Sequence, residues 1–550
     1  MSKRRRCLVA FAAGALVVLT VQSTMVASAI AAPTGGGMGG AVRVPKIRWG
    51  ACPAPAPGGA SVAGFECGAA TVPMDYAHPA GPTFQLAVIR HPAEGTKIGT
   101  VFWNPGGPSD GGTQFLPVAI GGFPEQVRRR FDILSWDPRG MGGRTTPVVQ
   151  CFNTAEEEAA FFAKQDGPSI PVSDAELAAR FATWVEFNSG CVARNGALLA
   201  HVSTADNARD LDLLRRAVHE REMNYYGTSY GTFLGATYIN MFPKRVRSAV
   251  LDGAVFPTAW AGTDPADRGQ STFIRVRSDI GSRDTVTEFM NQCGAVDPSH
   301  CAFSAGSPQA TQARWAELLR RARSIPIPFQ GDELTDRDIL SFVQSSIYII
   351  TPVPGFGRFP GWVAVAETLQ QLWNASQGTT RAASPASGPA DQPTTSGAAP
   401  TGAQAYITSA GRQLAVICGE SPNPTTEPAV AAQARLSYQR AGLSNWPFGA
   451  SCEGWTTKAA HTYLGPWNTP TRMPVLVIGN RFDPATPYSS SQRMAAELAN
   501  ARLLTVQGFG HSELLNPSRC AQDFVADYIL RGTLPPLGAV CAQDKGPFSS

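Results

Sequence analysis

A chain of 550 residues is too long for one compact core, so a large domain carrying insertions, or two domains, is expected. Hydrophobic content of 43% with 16% charged residues describes a globular protein with a sizeable interior and a lightly charged surface. The formal net charge of +4 resides at the N-terminus: residues 1–32 hold Lys3, Arg4, Arg5 and Arg6 and no acid, so without them 46 basic residues become 42, equal to the 42 acids. That balance points to neither nucleic acid nor an anionic membrane as partner.

The N-terminus reads as an export signal. "MSKRRRC" is a basic start, "LVAFAAGALVVLTV" an apolar stretch, and "ASAIAAP" supplies small residues for cleavage near Ala29 to Ala32. Residues 1–32 are therefore expected to be removed from a secreted, extracellular protein. Cys7 precedes the apolar stretch, where a lipid-attachment cysteine would not lie, so no stable membrane anchor is expected. Ten cysteines remain, and an even count in an exported chain favours disulfides. With no C-x-x-C and no Cys/His cluster, zinc and redox chemistry are disfavoured. The simplest pairing joins sequence neighbours: 52–67, 151–191, 293–301, 418–452 and 520–541.

Short apolar, β-branched runs then alternate with helical segments. The runs at 85–91, 100–104, 131–137, 223–227, 248–253, 474–479 and 502–506 are predicted strands. Residues 204–222, 489–500 and 520–532 are predicted helices. This alternation implies an α/β fold, a mostly parallel sheet with helices on both faces. It breaks between about residue 256 and residue 470, where helical pieces (310–324 and 359–376) and an Ala/Ser/Thr/Gly/Pro-rich run (376–405) occur. Such a run buries too little apolar surface to order itself and is expected to form a mobile loop. The expected organisation is a signal (1–32), a first core part (33–255), a cap or lid insertion (256–469) and a second core part (470–550).

Two stretches match the serine-hydrolase pattern G-x-S-x-G, "GPSDG" around Ser109 and "GTSYG" around Ser229. Chance alone supplies on the order of 0.4 such matches in a chain this rich in glycine, so context must decide. Ser229 follows the strand-like "MNYYG" and precedes a helical stretch, the arrangement of a nucleophile elbow. Ser109 follows "TVFWN" in a glycine-rich loop with no helix-like segment directly after it, where this architecture puts an oxyanion donor. The partners should follow in the order acid, then histidine. His300 and His461 fall within the insertion, whereas His511 stands just past the last long strand in "GFGHSE". For the acid, Asp483 in "GNRFDPATP" is favoured over Asp252 in "VLDGAV", which could instead hydrogen-bond a turn.

Ordered blocks across nearly the whole mature chain then resemble a known family. "CGAATVPMDYAHP" (67–79), "NPGGP" (104–108), "SWDPRGMGGRTTPVVQC" (135–151), "NYYGTSYGTFLGATYINMFP" (224–243), "AVICGE" (415–420), "GNRFDPATPY" (479–488) and "GFGHSE" (508–513) are similar to blocks in the secreted tripeptidyl-aminopeptidase-like α/β hydrolases of actinobacteria, relatives of proline iminopeptidase. The resemblance implies an α/β-hydrolase fold with a cap. It also implies a triad of Ser229, Asp483 and His511, and oxyanion donors at the backbone N–H groups of Gly107 and Tyr230. The chain departs from many relatives in following "NPGGP" with "SDGG" rather than "GGSG".

The expected function is a secreted serine exopeptidase, a monomer acting on free peptide N-termini without metal or organic cofactor; the alternative is a secreted carboxylesterase with the same triad. An exopeptidase must hold a substrate ammonium, and in a partly dry pocket that calls for a carboxylate. Glu420, beside Cys418, and Glu453, beside Cys452, are the candidates.

Overall fold

A computed structural model of the chain describes residues 42–55, 59–164, 170–354, 359–377, 409–442 and 451–549. The expected signal, and all but the first two residues of the Ala/Ser/Pro-rich run, lie outside these residues. Twelve strands are described: β1 (Gly50–Ala51), β2 (Glu66–Pro73), β3 (Thr83–His91), β4 (Gly99–Asn104), β5 (Phe131–Trp136), β6 (Met223–Thr228), β7 (Val246–Asp252), β8 (Ile327–Phe329), β9 (Asp332–Leu334), β10 (Val475–Phe482), β11 (Ala501–Phe509) and β12 (Val540–Ala542).

Ten of them form one sheet in the order β1-β2-β3-β5-β4-β6-β7-β10-β11-β12. Pairing is antiparallel from β1 through β3 to β5 and parallel across the rest. Every residue of β4, β5 and β6 is buried, so both faces of these strands are covered, and their polar residues, such as Ser135 and Asn224, are buried with the apolar ones. Alternate residues feed two cores. Phe102, Tyr225, Leu251 and Val477 pack with Leu214 and Phe233 on one face. Val101, Trp103, Tyr226 and Val250 pack with Leu116 and Val525 on the other. At about 25 cal/mol per Å² of apolar surface, these two layers dominate the folding free energy.

The seven predicted strands correspond to β3, β4, β5, β6, β7, β10 and β11. β1, β2 and β12 were not anticipated. β1 and β12 are edge segments of two and three residues, too short to show a period, and β2, with the sequence ECGAATVP, holds few β-branched and no aromatic residues. The predicted helix 204–222 stops at Ala217. His219 takes a φ of 63°, and the N–H groups of His219 and Glu220 donate to the carbonyls of Arg216 and Arg215. This left-handed termination satisfies the last carbonyls and ends the helix.

Between β7 and β10 no described residue joins the large sheet. That insertion holds helices, the hairpin β8–β9, and its own core around Phe289, Leu318, Val343, Trp362 and Leu369. β7 and β10 nevertheless pair directly, Val250 opposite Leu476 and Asp252 opposite Ile478, so the insertion leaves the sheet closed behind it. Five disulfides join Cys52–Cys67, Cys151–Cys191, Cys293–Cys301, Cys418–Cys452 and Cys520–Cys541. Among the described residues no helix is long and apolar enough to cross a membrane.

Candidate active site

The parallel part of the sheet sends the carboxyl ends of β4, β6, β7, β10 and β11 to one edge. In open α/β sheets that edge is where ligands bind. The residues following those strands are, in order, the Gly106–Gly107 loop, Ser229, Gly253, Asp483 and the His511 loop.

Ser229 stands between β6 and the helix Tyr230–Met241, at φ 56° and ψ −126°. A non-glycine residue in this region is strained and is held there only when its surroundings dictate it. Here the Ser229 N–H donates to the Asp252 carbonyl at 3.0 Å, and the Ser229 carbonyl accepts from the Thr232 N–H and Oγ1 at 2.8 and 2.6 Å. The Ser229 hydroxyl makes no capping bond to the helix it precedes. The flanking glycines are explained by close approach. A Cβ on Gly231 would lie 2.9 Å from Asn104 Oδ1, and one on Gly227 would lie 2.7 Å from the Tyr225 ring. The G-x-S-x-G spacing is thus a packing requirement of this turn.

The Gly106 loop crosses the same turn. A Cβ on Gly106 would stand 2.8 Å from Ser229 Cβ and 3.3 Å from the Tyr230 nitrogen. Asn104 Oδ1 accepts the Gly106 N–H at 3.1 Å, and Gln413 Nε2 donates to the Gly107 carbonyl at 3.0 Å. Ser109 lies in a turn of this loop, its carbonyl facing Arg412 at 3.3 Å. A helix, Gly112–Ala119, begins three residues later, which corrects the expectation that none follows directly. Glycine at its start and Pro117 inside it hide the helix in the sequence. Its first turn is held from outside by Asp137, which accepts from the Thr113 N–H and Oγ1 at 2.9 and 3.0 Å.

Asp483 follows β10 and His511 follows β11. The His511 Nδ1 lies 3.0 and 2.9 Å from the two Asp483 oxygens. Asp483 also accepts from the N–H groups of Ala485 and Thr486 and from Thr486 Oγ1 at 2.9, 2.8 and 3.0 Å, which fixes its plane. Both side chains are buried, Asp483 at 1% exposure and His511 at 7%. Burial alone would lower the imidazole pKa, but the Asp483 charge and hydrogen bond outweigh it, helped by Asp252 and Asp110, so His511 is raised above its ordinary 6.5. A Cβ on Gly253 would stand 3.3 Å from His511 Cε1 and 3.4 Å from Asp483 Oδ2. Gly253 directly follows Asp252, whose carbonyl holds the Ser229 N–H. The serine turn and the Asp483–His511 pair therefore meet around one short segment of chain.

Sequence reasoning missed the supports of the histidine loop. Asn480 Nδ2 donates to the Gly510 and Ser512 carbonyls, both at 3.0 Å. Asn516 Nδ2 donates to the His511 and Ser512 carbonyls at 3.0 and 3.1 Å. Tyr348, from the insertion, takes the His511 N–H on its carbonyl at 2.7 Å and sets its ring edge-on to the imidazole. Two buried asparagines flanking a predicted loop were the available signal.

Asp252 faces the backbone beyond His511 rather than His511 Nδ1. Its oxygens accept from the Glu513 and Leu514 N–H groups at 2.9 and 3.0 Å and from the Tyr226 hydroxyl at 3.1 Å.

The Cys418–Cys452 bridge ties together the segments that carry Glu420 and Glu453, but the two carboxyl groups face different neighbours, Thr204 and Trp260 for Glu420 and Arg180 for Glu453. Glu420 ends the helix Ser409–Glu420 and accepts from the Thr204 N–H and Oγ1 at 2.7 and 2.5 Å and from Trp260 Nε1 at 2.6 Å. Thr204 Oγ1 in turn bonds the Tyr230 hydroxyl at 2.6 Å. Glu420 lines a small cavity with Phe233, Trp260, Thr462 and Leu464. Burial pushes its carboxyl up to about 7, against the pull of the Thr204 and Trp260 bonds. Glu453 is fully buried, its carbonyl held by Asn188 Nδ2 at 2.7 Å. Burial pushes it to about 7 as well, opposed by its own N–H and by Arg180.

Comparison with known proteins places this geometry in context. Residues 104–272 match a family model described as "alpha/beta hydrolase fold", and residues 443–541 match one described as "TAP-like protein". The chain is 29% identical over 513 residues to "Serine protease Hip1" of Mycobacterium tuberculosis, covering 90% of this chain and 91% of that protein. It is 28% identical to "Tripeptidyl aminopeptidase" of Streptomyces lividans, covering 88% and 84% of the two chains. It is 29% identical to "Carboxylesterase B" of Mycobacterium tuberculosis, covering 92% and 91%. The relatives span both parts of the sheet and the insertion between them, and the chain is a serine hydrolase of α/β-hydrolase fold that is similar to the tripeptidyl-aminopeptidase-like enzymes.

Proposed function

We propose that this chain is a secreted serine exopeptidase that releases short peptides, tripeptides foremost, from free N-termini through an acyl-enzyme. The observation that carries the reading is the contact of His511 Nδ1 with both Asp483 oxygens, beside the segment that fixes the strained Ser229 turn. Ser229 Oγ attacks the scissile carbonyl carbon while His511 Nε2 takes its proton. Asp483, accepting from Nδ1–H, keeps Nε2 free as the base and stabilises the imidazolium. The tetrahedral oxyanion is held by the N–H groups of Gly107 and Tyr230, the latter at the start of a helix whose dipole favours negative charge. His511 then gives its proton to the leaving amine, and water attacks the acyl-enzyme by the same route, releasing the short peptide as its acid. Residues 256–469 act as the cap over this edge, and residues 33–255 and 470–550 form the catalytic core.

The peptidase names of two relatives support an amide substrate, and Glu420 and Glu453 are the acids assigned to the substrate ammonium. The similarity to a carboxylesterase supports a second reading, ester hydrolysis with the same three residues. A chromogenic tripeptide amide and its N-acetylated twin separate them. A large loss of kcat/KM on acetylation is the expected result. Equal turnover of both, with short acyl esters cleaved faster, would establish the esterase instead.

A further inference from the structure

Asp252 and Glu513 are buried carboxyl groups that the scheme above leaves unused, at 0% and 1% exposure. Asp252 touches both halves of the site. Its carbonyl accepts the Ser229 N–H at 3.0 Å, while its carboxylate takes the two N–H groups that lie two and three residues beyond His511, at 2.9 and 3.0 Å. The loop it grips is itself strained, with Ser512 at a φ of 65°.

We propose that Asp252 is a positioning residue for the hydrolysis: its ionised carboxylate clamps the His511 loop to the Ser229 turn and sets a second negative charge behind the imidazole, while Glu513 keeps its proton. This rests on the reading of Ser229 as nucleophile and His511 as base. The protonation pattern follows from the donors. Two neighbouring buried carboxyl groups oppose each other's ionisation, so the one with fewer donors keeps its proton. Asp252 receives three donors, counting the Tyr226 hydroxyl at 3.1 Å, whereas the Glu513 carboxyl accepts one, the Ser518 N–H at 3.0 Å. Burial raises both groups, and raises Glu513 well above the carboxylate range, with the Asp252 charge adding to it.

The other charged or titratable groups acting on this centre are Asp483 and Asp110 on His511, Asp544 on Glu513, and the Tyr226 hydroxyl on Asp252. Of the carboxylates acting on His511, Asp483 bonds its ring directly, and Asp252 bonds the backbone that carries it.

The test compares wild type with Asp252→Asn and Glu513→Gln, using the tripeptide amide, a full pH profile, and a fluorophosphonate to count sites with a reactive Ser229. Asp252→Asn is expected to lower kcat per labelled site by about 10²-fold, the scale of a small misplacement of a reacting group, with little change in KM. It should also move the acid limb of kcat/KM to lower pH, because the imidazolium loses a stabilising charge. Glu513→Gln, which replaces one neutral group by another, should leave that limb where it is in wild type. A wild-type limb and wild-type turnover per labelled site in Asp252→Asn would overturn the proposal. So would a limb displaced by Glu513→Gln, which decides the matter alone should Asp252→Asn fail to fold. Absence of labelling at Ser229 in wild type would instead overturn the reading on which the proposal rests.

Discussion

His511 sets Nδ1 between the two oxygens of Asp483, 3.0 and 2.9 Å away, and the ring lies against Gly253 on the turn that also fixes Ser229. Asp252, the competing candidate for the acid, spends its oxygens on two backbone N–H groups and the Tyr226 hydroxyl. Asp483→Asn is therefore expected to cost roughly 10⁴-fold in kcat, as loss of the orienting acid does elsewhere. A kinetic comparison with Asp252→Asn checks the choice. If Asp252→Asn were far more damaging while both variants stay folded, the acid would be misassigned.

Ser229→Ala and His511→Ala should each remove roughly 10⁶-fold of the rate, since members of such a unit act together. Ser109→Ala should keep most activity, because Ser109 stands in the loop rather than in the strained turn. A fluorophosphonate should label one peptide, the one containing Ser229. Labelling at Ser109 would reverse the assignment.

The His511 environment makes a pH prediction. The base works only when neutral, and its pKa is raised above 6.5 in the folded chain. Activity should therefore fall as the pH drops through a midpoint above 6.5. A limb at or below that value would mean that burial outweighs Asp483.

Glu453 makes another, on stability. Its folded-state pKa of about 7 exceeds the ordinary 4.5, so the folded chain holds a proton that the unfolded chain releases. The stabilisation from that proton is complete below about pH 4.5 and is lost as the pH rises through 7. Glu453→Gln cannot titrate, so wild type should lose thermal stability relative to it across that window. Melting curves that stay parallel from pH 4.5 to 8 would contradict this.

Replacing Cys418 and Cys452 together should cost about 2–4 kcal/mol, the usual contribution of a bridge closing a loop of this size. Chemical denaturation of the double variant measures it. A loss near zero would mean that the surrounding packing alone holds the two segments.

What could be read in advance had a local cause. The glycines around Ser229 are demanded by contacts within the turn and with Asn104, so their spacing is visible as a motif. Asp483 and His511 each stand just past a strongly apolar strand, and position after a strand is a sequence property. What could not be read depends on distant partners. The helix Gly112–Ala119 is held by Asp137, and Glu420 is surrounded by donors from Thr204 and Trp260, more than a hundred residues away. No window of sequence carries that information. The edge strands β1 and β12, of two and three residues, are too short to show a period at all.

Because β7 and β10 lie side by side in the sheet, the whole excursion between them begins and ends at neighbouring points. Ser229 precedes that excursion, and Asp483 and His511 come after it. A chain severed within the excursion would carry its serine on one fragment and its acid and histidine on the other, with β7 and β10 forming the seam where the fragments rejoin. Turnover by such a pair would then report reassembly of the sheet, and would vanish whenever the two pieces part.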